Sequence, residues 1–299
     1  MKKRIKYKML APVSHIGETA STGSYFQTVL TADGRVPVIT GNSIRGQLRD
    51  SMAAHLLDTL SEGSLIPLKV SKDVFNILFS GGNINGTMKD DVEKAKNIRK
   101  HFPLVSMMGG GLGDMIMAGK LICSFAYPVC AETESITGIE SDISWHSLID
   151  EMEFTRTDDG KNDQLADYLQ DADEEKTAKA STQMRYSVQY MAAGTEFVQD
   201  FIFLDGVTDL ELGAFYAGLL KWFKTPRLGG MAAKGFGLFD ATLGAGDISV
   251  VGGSPAASPA VKEYISTYED FIRTEGAEYL SLFDTKKEKK NGKKADKSD

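Results

Sequence analysis

Hydrophobic and polar residues alternate over the first stretch of the chain. In residues 4–13 nearly every second side chain is apolar and most of the others are basic, which is typical of a strand with one buried face. The buried face would carry Ile5, Tyr7 and Met9. Residues 44–60 instead repeat apolar side chains every three or four positions, so we predict a helix that packs on a core.

The segment between these two elements has a different character. Residues 14–35 are rich in Ser, Thr and Gly, and we predict a long loop that holds at most a short strand over 25–31. Asn42 or Ser43 is the expected N-cap of the following helix, because a short polar side chain accepts hydrogen bonds from free backbone N–H groups.

The later pattern completes a small kernel of strands and helices. Strands are expected at 120–129, 184–190, 195–204 and 238–243, and a helix at 210–223. With the first strand and helix, the order is β-α-β-β-α-β, so we predict an α+β, ferredoxin-like fold.

Long interruptions separate the parts of this kernel. The kernel itself comprises 1–60, 120–130 and 184–243. A helical insertion with glycine-rich breaks covers 61–119, and an extended acidic excursion covers 131–183. A Gly-, Ala- and Ser-rich linker and a C-terminal helix are expected over 244–284, followed by a disordered basic tail over 285–299.

Charge is distributed unevenly along the chain. The net charge is −7, but residues 131–175 hold fifteen acidic and two basic side chains, a net of −13. Residues 1–60 hold eight basic and four acidic side chains, and residues 285–299 hold seven and three, so each segment has a net charge of +4. A polyanion could therefore bind a basic surface outside the excursion, because fields between exposed charges act over about 10 Å.

Several classes of function are disfavoured. Two cysteines, Cys123 and Cys130, are too few for a disulfide framework or a thiolate zinc site. Residues 113–120 and 41–46 only approximate a P-loop and a nucleophile elbow, since each lacks a required glycine. No apolar run approaches about 18 residues and no secretory signal is evident. We therefore expect a cytoplasmic protein without a metal or cofactor.

Three segments have residue types suited to binding phosphate. The predicted helix start offers free N–H groups beside Asn42, Ser43, Arg45 and Arg49. The loop 227–237, called the glycine loop below, offers Arg227, Lys234 and the flexible Gly229 and Gly230. Ser14 and His15 follow the first strand, where a histidine either fixes a loop or contacts a polyanion. At one sheet edge the three would form a groove for single-stranded nucleic acid.

The same segments resemble a known family. Residues 39–49, ITGNSIRGQLR, are similar to the helix motif of the RAMP superfamily of CRISPR proteins, and residues 229–237, GGMAAKGFG, to its glycine-rich loop. Residues 12–18, PVSHIGE, and 102–111, FPLVSMMGGG, most resemble the type IV version of the seventh Cas family, whose members form effector backbones. The similarity spans about residues 1–243.

The resemblance implies a palm, a modified RRM, that binds CRISPR guide RNA and polymerises along it as a helical filament. It adds Phe236 to the RNA-binding residues. It also implies that the excursion is a thumb β-hairpin, whose tip could include Met152, Phe154 and Arg156. Implied partners are further copies, other CRISPR effector subunits and a target that pairs with the guide, with DNA favoured over RNA.

One departure bears on catalysis. Relatives in type III systems carry a target-cleaving aspartate after the first strand, whereas the aligned positions here, 24–26, hold no carboxylate. Glu18 and Asp33 lie elsewhere in that segment. We therefore expect a subunit that is not an enzyme. The alternatives are a metal-independent endoribonuclease that processes CRISPR transcripts, with His15 as general base, and a helper that binds only protein.

Overall fold

A computed structural model of the protein describes residues 1–19, 23–62, 68–84, 92–113, 115–156 and 184–276. They form the expected mixed α+β structure. The strands are β1 Lys2–Met9, β2 Ile16–Thr19, β3 Gly23–Phe26, β4 Thr28–Thr31, β5 Gly34–Pro37, β6 Gly82–Ile84, β7 Gly110–Gly113, β8 Met115–Met117, β9 Leu121–Cys123, β10 Tyr127–Pro128, β11 Ile149–Arg156, β12 Met184–Met191, β13 Glu196–Phe203, β14 Phe239–Leu243, β15 Ile248–Val251 and β16 Ser254–Ala257. The helices are α1 Gly41–Leu60, α2 Lys72–Phe75, α3 Val92–His101, α4 Pro103–Met108, α5 Glu134–Thr137, α6 Asp209–Phe223 and α7 Pro259–Phe271.

The main sheet is built around β1. Its strand order is β10–β13–β1–β14–β15–β16, and β9 also pairs with β13. Ile5, Tyr7 and Met9 are almost completely buried, which confirms the predicted buried face of β1. Along the chain, the central elements of this layer follow the order β1, α1, β9, β13, α6 and β14.

Two long helices cover the buried face of the main sheet. Helix α6 packs on it through Phe215, whose ring centroid lies 5.1 Å from that of Phe201 on β13. Helix α1 packs against α6 at Gly218, where an added Cβ would lie 2.2 Å from the Cγ of Met52. The predicted helices at 44–60 and 210–223 are both confirmed.

A second sheet forms where we predicted a loop. Its strand order is β11–β12–β3–β2, and β12 runs parallel to β3, with Val188 opposite Ser24. Strands β4 and β5 form a separate antiparallel ribbon. The short strand expected over 25–31 is confirmed in part by β4 and the end of β3. The loop prediction for the rest of 14–35 is wrong, because β2 pairs with β3, β4 pairs with β5, and β3 also pairs with the distant β12.

The insertion 61–119 is helical only in part. Helices α2 and α3 confirm the helical segments expected there, and a π-helical turn over Asn76–Ser80 extends α2. The predicted glycine-rich breaks instead contain β6 and β7, which pair in parallel. Ile77, Leu104 and Met107 belong to the same hydrophobic core as β1, so the insertion packs directly on the kernel.

The first part of the excursion also packs on the kernel. Thr133 and Thr137 are buried, and the guanidinium of Arg4 on β1 donates to the carbonyl of Thr137 at 2.7 Å. The prediction of an extended excursion is therefore wrong for residues 131–148. Strands β11 and β12 pair over their full length as antiparallel neighbours. The rest of the excursion, 157–183, lies outside the described residues.

The C-terminal part adds two strands to the main sheet. The linker expected after residue 243 is wrong, because β15 and β16 extend the sheet and bury Ile248 and Val250. Helix α7 begins at Pro259 after the N-cap Ser258 and continues as a π-helical turn over Ile272–Gly276. The predicted end of this helix and the tail 285–299 lie outside the described ranges.

Candidate nucleic-acid interface

The N-terminus of α1 is capped by a residue that the sequence pattern missed. Thr40 is the N-cap, and its Oγ1 accepts a hydrogen bond from the backbone N–H of Ser43 at 3.3 Å. The predicted caps, Asn42 and Ser43, lie in the first turn of the helix instead. Because helix α1 has no acidic residue in its first turn, the positive end of its dipole is not offset there.

His15 connects the end of β1 to this helix start. Its Nε2 lies 3.2 Å from the backbone nitrogen of Thr40, which donates to it, and 3.1 Å from Thr40 Oγ1. Burial lowers the pKa of His15, so the neutral ring is favoured at pH 7. The ring therefore fixes the loop, and the Nε2 lone pair that a general base would use already accepts a hydrogen bond.

Ser14 connects the same loop to two other segments. Its side chain is fully buried, and Oγ donates to the carbonyl of Gln189 on β12 at 3.0 Å. Its carbonyl accepts from the N–H of Gly230 at 2.7 Å. Gly229 has a φ of +75°, and an added Cβ would lie 2.3 Å from the Ser14 oxygen, so only glycine fits this contact. Ser14 and His15 thus bring together the three segments that we predicted to bind phosphate.

The lysine of the glycine loop lies over two aromatic rings. Lys234 Nζ is 4.8 Å from the ring centroid of Phe154 and 4.5 Å from that of Tyr186, and it donates to the Tyr186 hydroxyl. Phe236 is buried and contacts Phe154 and Tyr190, at centroid distances of 6.4 and 6.2 Å. The paired strands β11 and β12 are therefore attached to the glycine loop on one face.

The predicted thumb residues lie on strand β11. Phe154 packs against the glycine loop, and Met152 is 37% exposed. The backbone of Arg156 ends β11, and its side chain is outside the described part of the chain. Their role as a wedge at a hairpin tip stays a prediction.

Arg227 supports the loop from within. Its Nη1 donates to the carbonyl of Phe236 at 3.3 Å, and its own carbonyl accepts from the indole N–H of Trp222 at 3.0 Å. This arginine therefore fixes both ends of the glycine loop as the structure shows it.

The two arginines of α1 point to the insertion. Arg49 is 7% exposed and donates to the carbonyls of Ile77, Met108 and Gly109 at 3.3, 2.8 and 2.9 Å. Burial and the neighbouring Arg45 lower the pKa of Arg49 to about 10, which leaves it charged at pH 7. Arg45 also donates to the Met108 carbonyl, while its buried Nε has no hydrogen-bond partner among the residues that the structure describes.

An open cleft of about 490 Å³ lies beside these arginines. Helix α1 contributes Asn42, Arg45 and Arg49, and the insertion contributes glycine-rich backbone and the exposed Ile116. This arrangement of free helix N–H groups, arginine and close-approaching backbone suits a phosphate-bearing strand.

A model of the RAMP superfamily matches residues 6–240. The chain belongs to the RAMP superfamily. No curated protein sequence matches it. Among solved structures, a chain from a structure described as "Type IV-B CRISPR Complex" is similar, with a TM-score of 0.56 and 20% sequence identity over 82% of this chain and 91% of that chain.

The prediction of the RAMP superfamily is thereby confirmed. At 20% identity, the structural likeness shows a shared fold. Two further findings concern the described parts of this RAMP protein. None of its helices there has the length and apolarity that a membrane span requires. No three His, Cys, Asp or Glu side chains there come together as a metal site would need.

Sequence reasoning missed several residues of this RAMP interface. Thr40 precedes a glycine and two polar residues, just before the first apolar residue of the helix, a signal for an N-cap that could have been used. Tyr186 and Tyr190 alternate with polar residues in β12, which was a usable period-two signal. Gln189, whose Oε1 accepts from the N–H of Phe26 at 3.1 Å, had no such signal, because its partners are remote in sequence.

Proposed function

We propose that this RAMP protein is a CRISPR guide-RNA-binding backbone subunit that polymerises along the guide and presents it for pairing with a target. The proposal rests on one observation: Ser14 and His15 hold the N-terminus of α1 and the glycine loop next to each other. His15 accepts a hydrogen bond from Thr40, and Ser14 accepts one from Gly230. Family membership and the fold shared with a chain of a Type IV-B CRISPR complex support it.

The proposed palm is the ferredoxin-like part of the chain. The kernel order β1, α1, β9, β13, α6, β14 and the strand neighbours β9–β13–β1–β14 support this assignment. Strands β11 and β12 would be the base of the thumb, because they leave the palm beside the glycine loop. Other copies and other CRISPR effector subunits are the proposed protein partners, and DNA is the favoured target.

Burial and hydrogen bonding divide the predicted RNA-binding residues into three groups. We assign direct RNA contact to the backbone N–H of Asn42, to Arg45 and to the exposed Lys234. The Ser43 N–H already donates to Thr40 Oγ1, so Ser43 supports the helix start instead. Ser14, Arg49 and Phe236 are buried, so their side chains support the groove from behind. His15, Arg227, Gly229 and Gly230 set the loop geometry, and Gly230 can also present backbone to the strand.

We infer that the protein is not a nuclease. Strand β3, at 24–26, holds no carboxylate, and Asp33 lies on the β4–β5 turn, where its Oδ2 accepts from Ser135 Oγ at 3.2 Å. The endoribonuclease alternative needs His15 as a base, and the hydrogen bond from the Thr40 N–H to its Nε2 argues against that role.

The test is purification followed by RNA assembly. We expect the full-length protein to copurify with nucleic acid, seen as a raised A260/A280 ratio, and to form filaments whose length follows the guide in electron micrographs. Complementary labelled RNA should stay full length with Mg²⁺. A protein that forms no complex with any guide RNA would overturn the proposal. Cleavage of a CRISPR transcript by the unmodified protein, and its loss in His15→Ala, would favour the processing endoribonuclease.

A further inference from the structure

The aromatic pair beneath Lys234 has the form of a nucleobase site. Phe154 and Tyr186 are direct cross-strand partners on β11 and β12, so both rings lie on the same face of the hairpin. Their centroids are 5.3 Å apart and their planes differ by 17°. The rings are therefore stacked on each other, and both side chains are half-buried, so part of the stacked pair is accessible to a ligand.

The rings are supported from behind. The buried Phe236 contacts Phe154, and Tyr190 contacts Phe236 almost perpendicularly, at an angle of 80°. Strand β12 is also fixed close to Tyr186, because Val188, two residues further along, is 2% exposed and pairs with β3. A stacking surface needs this rigidity, since a ring that is already ordered loses little conformational entropy when a ligand stacks on it.

The cation over the rings is exposed and carries no acidic partner among the described residues. Lys234 Nζ contacts both ring faces and the Tyr186 hydroxyl, while its side chain remains accessible to solvent. An ammonium group on a flexible stem can leave an aromatic face for a phosphate at little cost, because exposed cation–π contacts are weak.

We propose that Phe154 and Tyr186 form a stacking platform for one base of the guide, and that Lys234 moves from the rings to a phosphate of the same strand. This inference rests on the proposed function and names a specific part of its RNA contact. Stacking of bases on aromatic rings beside a lysine or arginine is the general way in which proteins hold single strands without reading sequence. The platform would therefore accept any of the four bases.

The experiment measures guide RNA binding to the full-length protein by fluorescence anisotropy over a series of salt concentrations. We expect Phe154→Leu and Tyr186→Leu each to weaken binding about tenfold, with the salt dependence unchanged, because no charge is removed. Lys234→Met should instead reduce the slope of log K against log salt by roughly 0.7, the value for one phosphate contact on a single strand.

Two controls match these variants. Tyr186→Phe keeps the ring, and its affinity for guide RNA should be within about twofold of that of the unmodified protein. This is expected if the ring stacks on a base and the hydroxyl makes no essential contact. Phe125→Leu removes an aromatic ring of a residue that is 38% exposed, in the loop between β9 and β10, and should leave guide RNA binding unchanged. Circular dichroism and thermal unfolding show whether each variant is folded.

A probe in the RNA needs no protein variant. A guide with 2-aminopurine at successive positions should show regularly spaced quenched positions with the unmodified protein, and Tyr186→Leu should abolish that quenching. If the protein binds guide RNA but folded leucine variants bind equally well and quench equally, the platform is wrong while the proposed function stands. If leucine variants only lower the unfolding temperature, the cluster is a structural contact and the inference is also overturned.

Discussion

The α1 N-terminus and the glycine loop both carry basic side chains that the family pattern associates with RNA, but the side chains differ in burial and in their partners. Arg49 is buried and its guanidinium donates to three carbonyls of the insertion. Lys234 is exposed and its ammonium lies over two rings. A guanidinium has five donors in a planar fork and can satisfy several buried acceptors, whereas a hydrated ammonium stays at the surface. Burial therefore separates a structural cation from one available to a ligand.

Removing the buried cation tests this comparison most strongly. Arg49→Ala would remove the guanidinium that donates to the Ile77 and Gly109 carbonyls and would leave the Met108 carbonyl with Arg45 as its donor. We expect it to lower the free energy of unfolding by about 3 kcal/mol. Lys234→Ala, its exposed counterpart, should change stability by less than about 1 kcal/mol. Urea unfolding followed by circular dichroism measures both. A larger loss for Lys234→Ala than for Arg49→Ala would reverse our assignment of the two roles.

The contact between Ser14 and the glycine loop should be the next most sensitive. Gly229→Ala would place a Cβ against the Ser14 carbonyl and strain a positive φ, which we expect to cost about 2–3 kcal/mol of unfolding free energy. Gly235→Ala is the matched control, since Gly235 also has a positive φ, +88°, but nothing within 4 Å of an added Cβ. It should cost only about 1 kcal/mol. Equal losses would show that backbone strain alone, without the Ser14 contact, explains the effect.

The exposed Lys234 and the half-buried Arg45 should affect RNA affinity more than stability. Arg45→Glu and Lys234→Glu should each weaken guide RNA binding about tenfold and reduce the salt slope by roughly 0.7 for the lost phosphate contact. The thermal unfolding of Lys234→Glu should be nearly unchanged, whereas Arg45→Glu should also loosen the contact with Met108. Unchanged affinity and salt dependence in both variants would mean that the groove lies elsewhere.

The smallest expected effect concerns the histidine between the two regions. Burial lowers the pKa of His15 in the folded state below the unfolded value of about 6.5. The unfolded chain therefore takes up the proton first, and stability present at pH 7 is lost as the pH falls from about 6.5 through the lowered pKa. Urea midpoints between pH 7.5 and 5 should fall less steeply for His15→Asn than for the unmodified protein. Parallel curves would show that His15 makes no such contribution.

Repeating patterns predicted much of the kernel. The alternation in β1 and the three-to-four spacing in α1 and α6 depend on which face of one element is buried, so they are visible locally. Strands β2, β15 and β16 and parts of β3 and β5 were missed, and all of them except β15 draw half of their residues from Gly, Ser, Thr and Pro. Pairing with a neighbouring strand, a tertiary effect, overrides the weak strand propensity of such residues.

The sequence by itself determined the α+β class, the positions of the basic and glycine-rich segments and, through the resemblance, the RAMP family. Only the tertiary structure decided the role of each residue within those segments. Ser14 meets Gln189 across 175 positions of sequence, and Arg49 meets Gly109 across 60. Whether a polar side chain is buried against such partners or remains free for a ligand depends on how distant parts of the chain pack. Short-range periodicity carries no information about that packing, which is why Lys234 and Arg49 looked alike in the sequence.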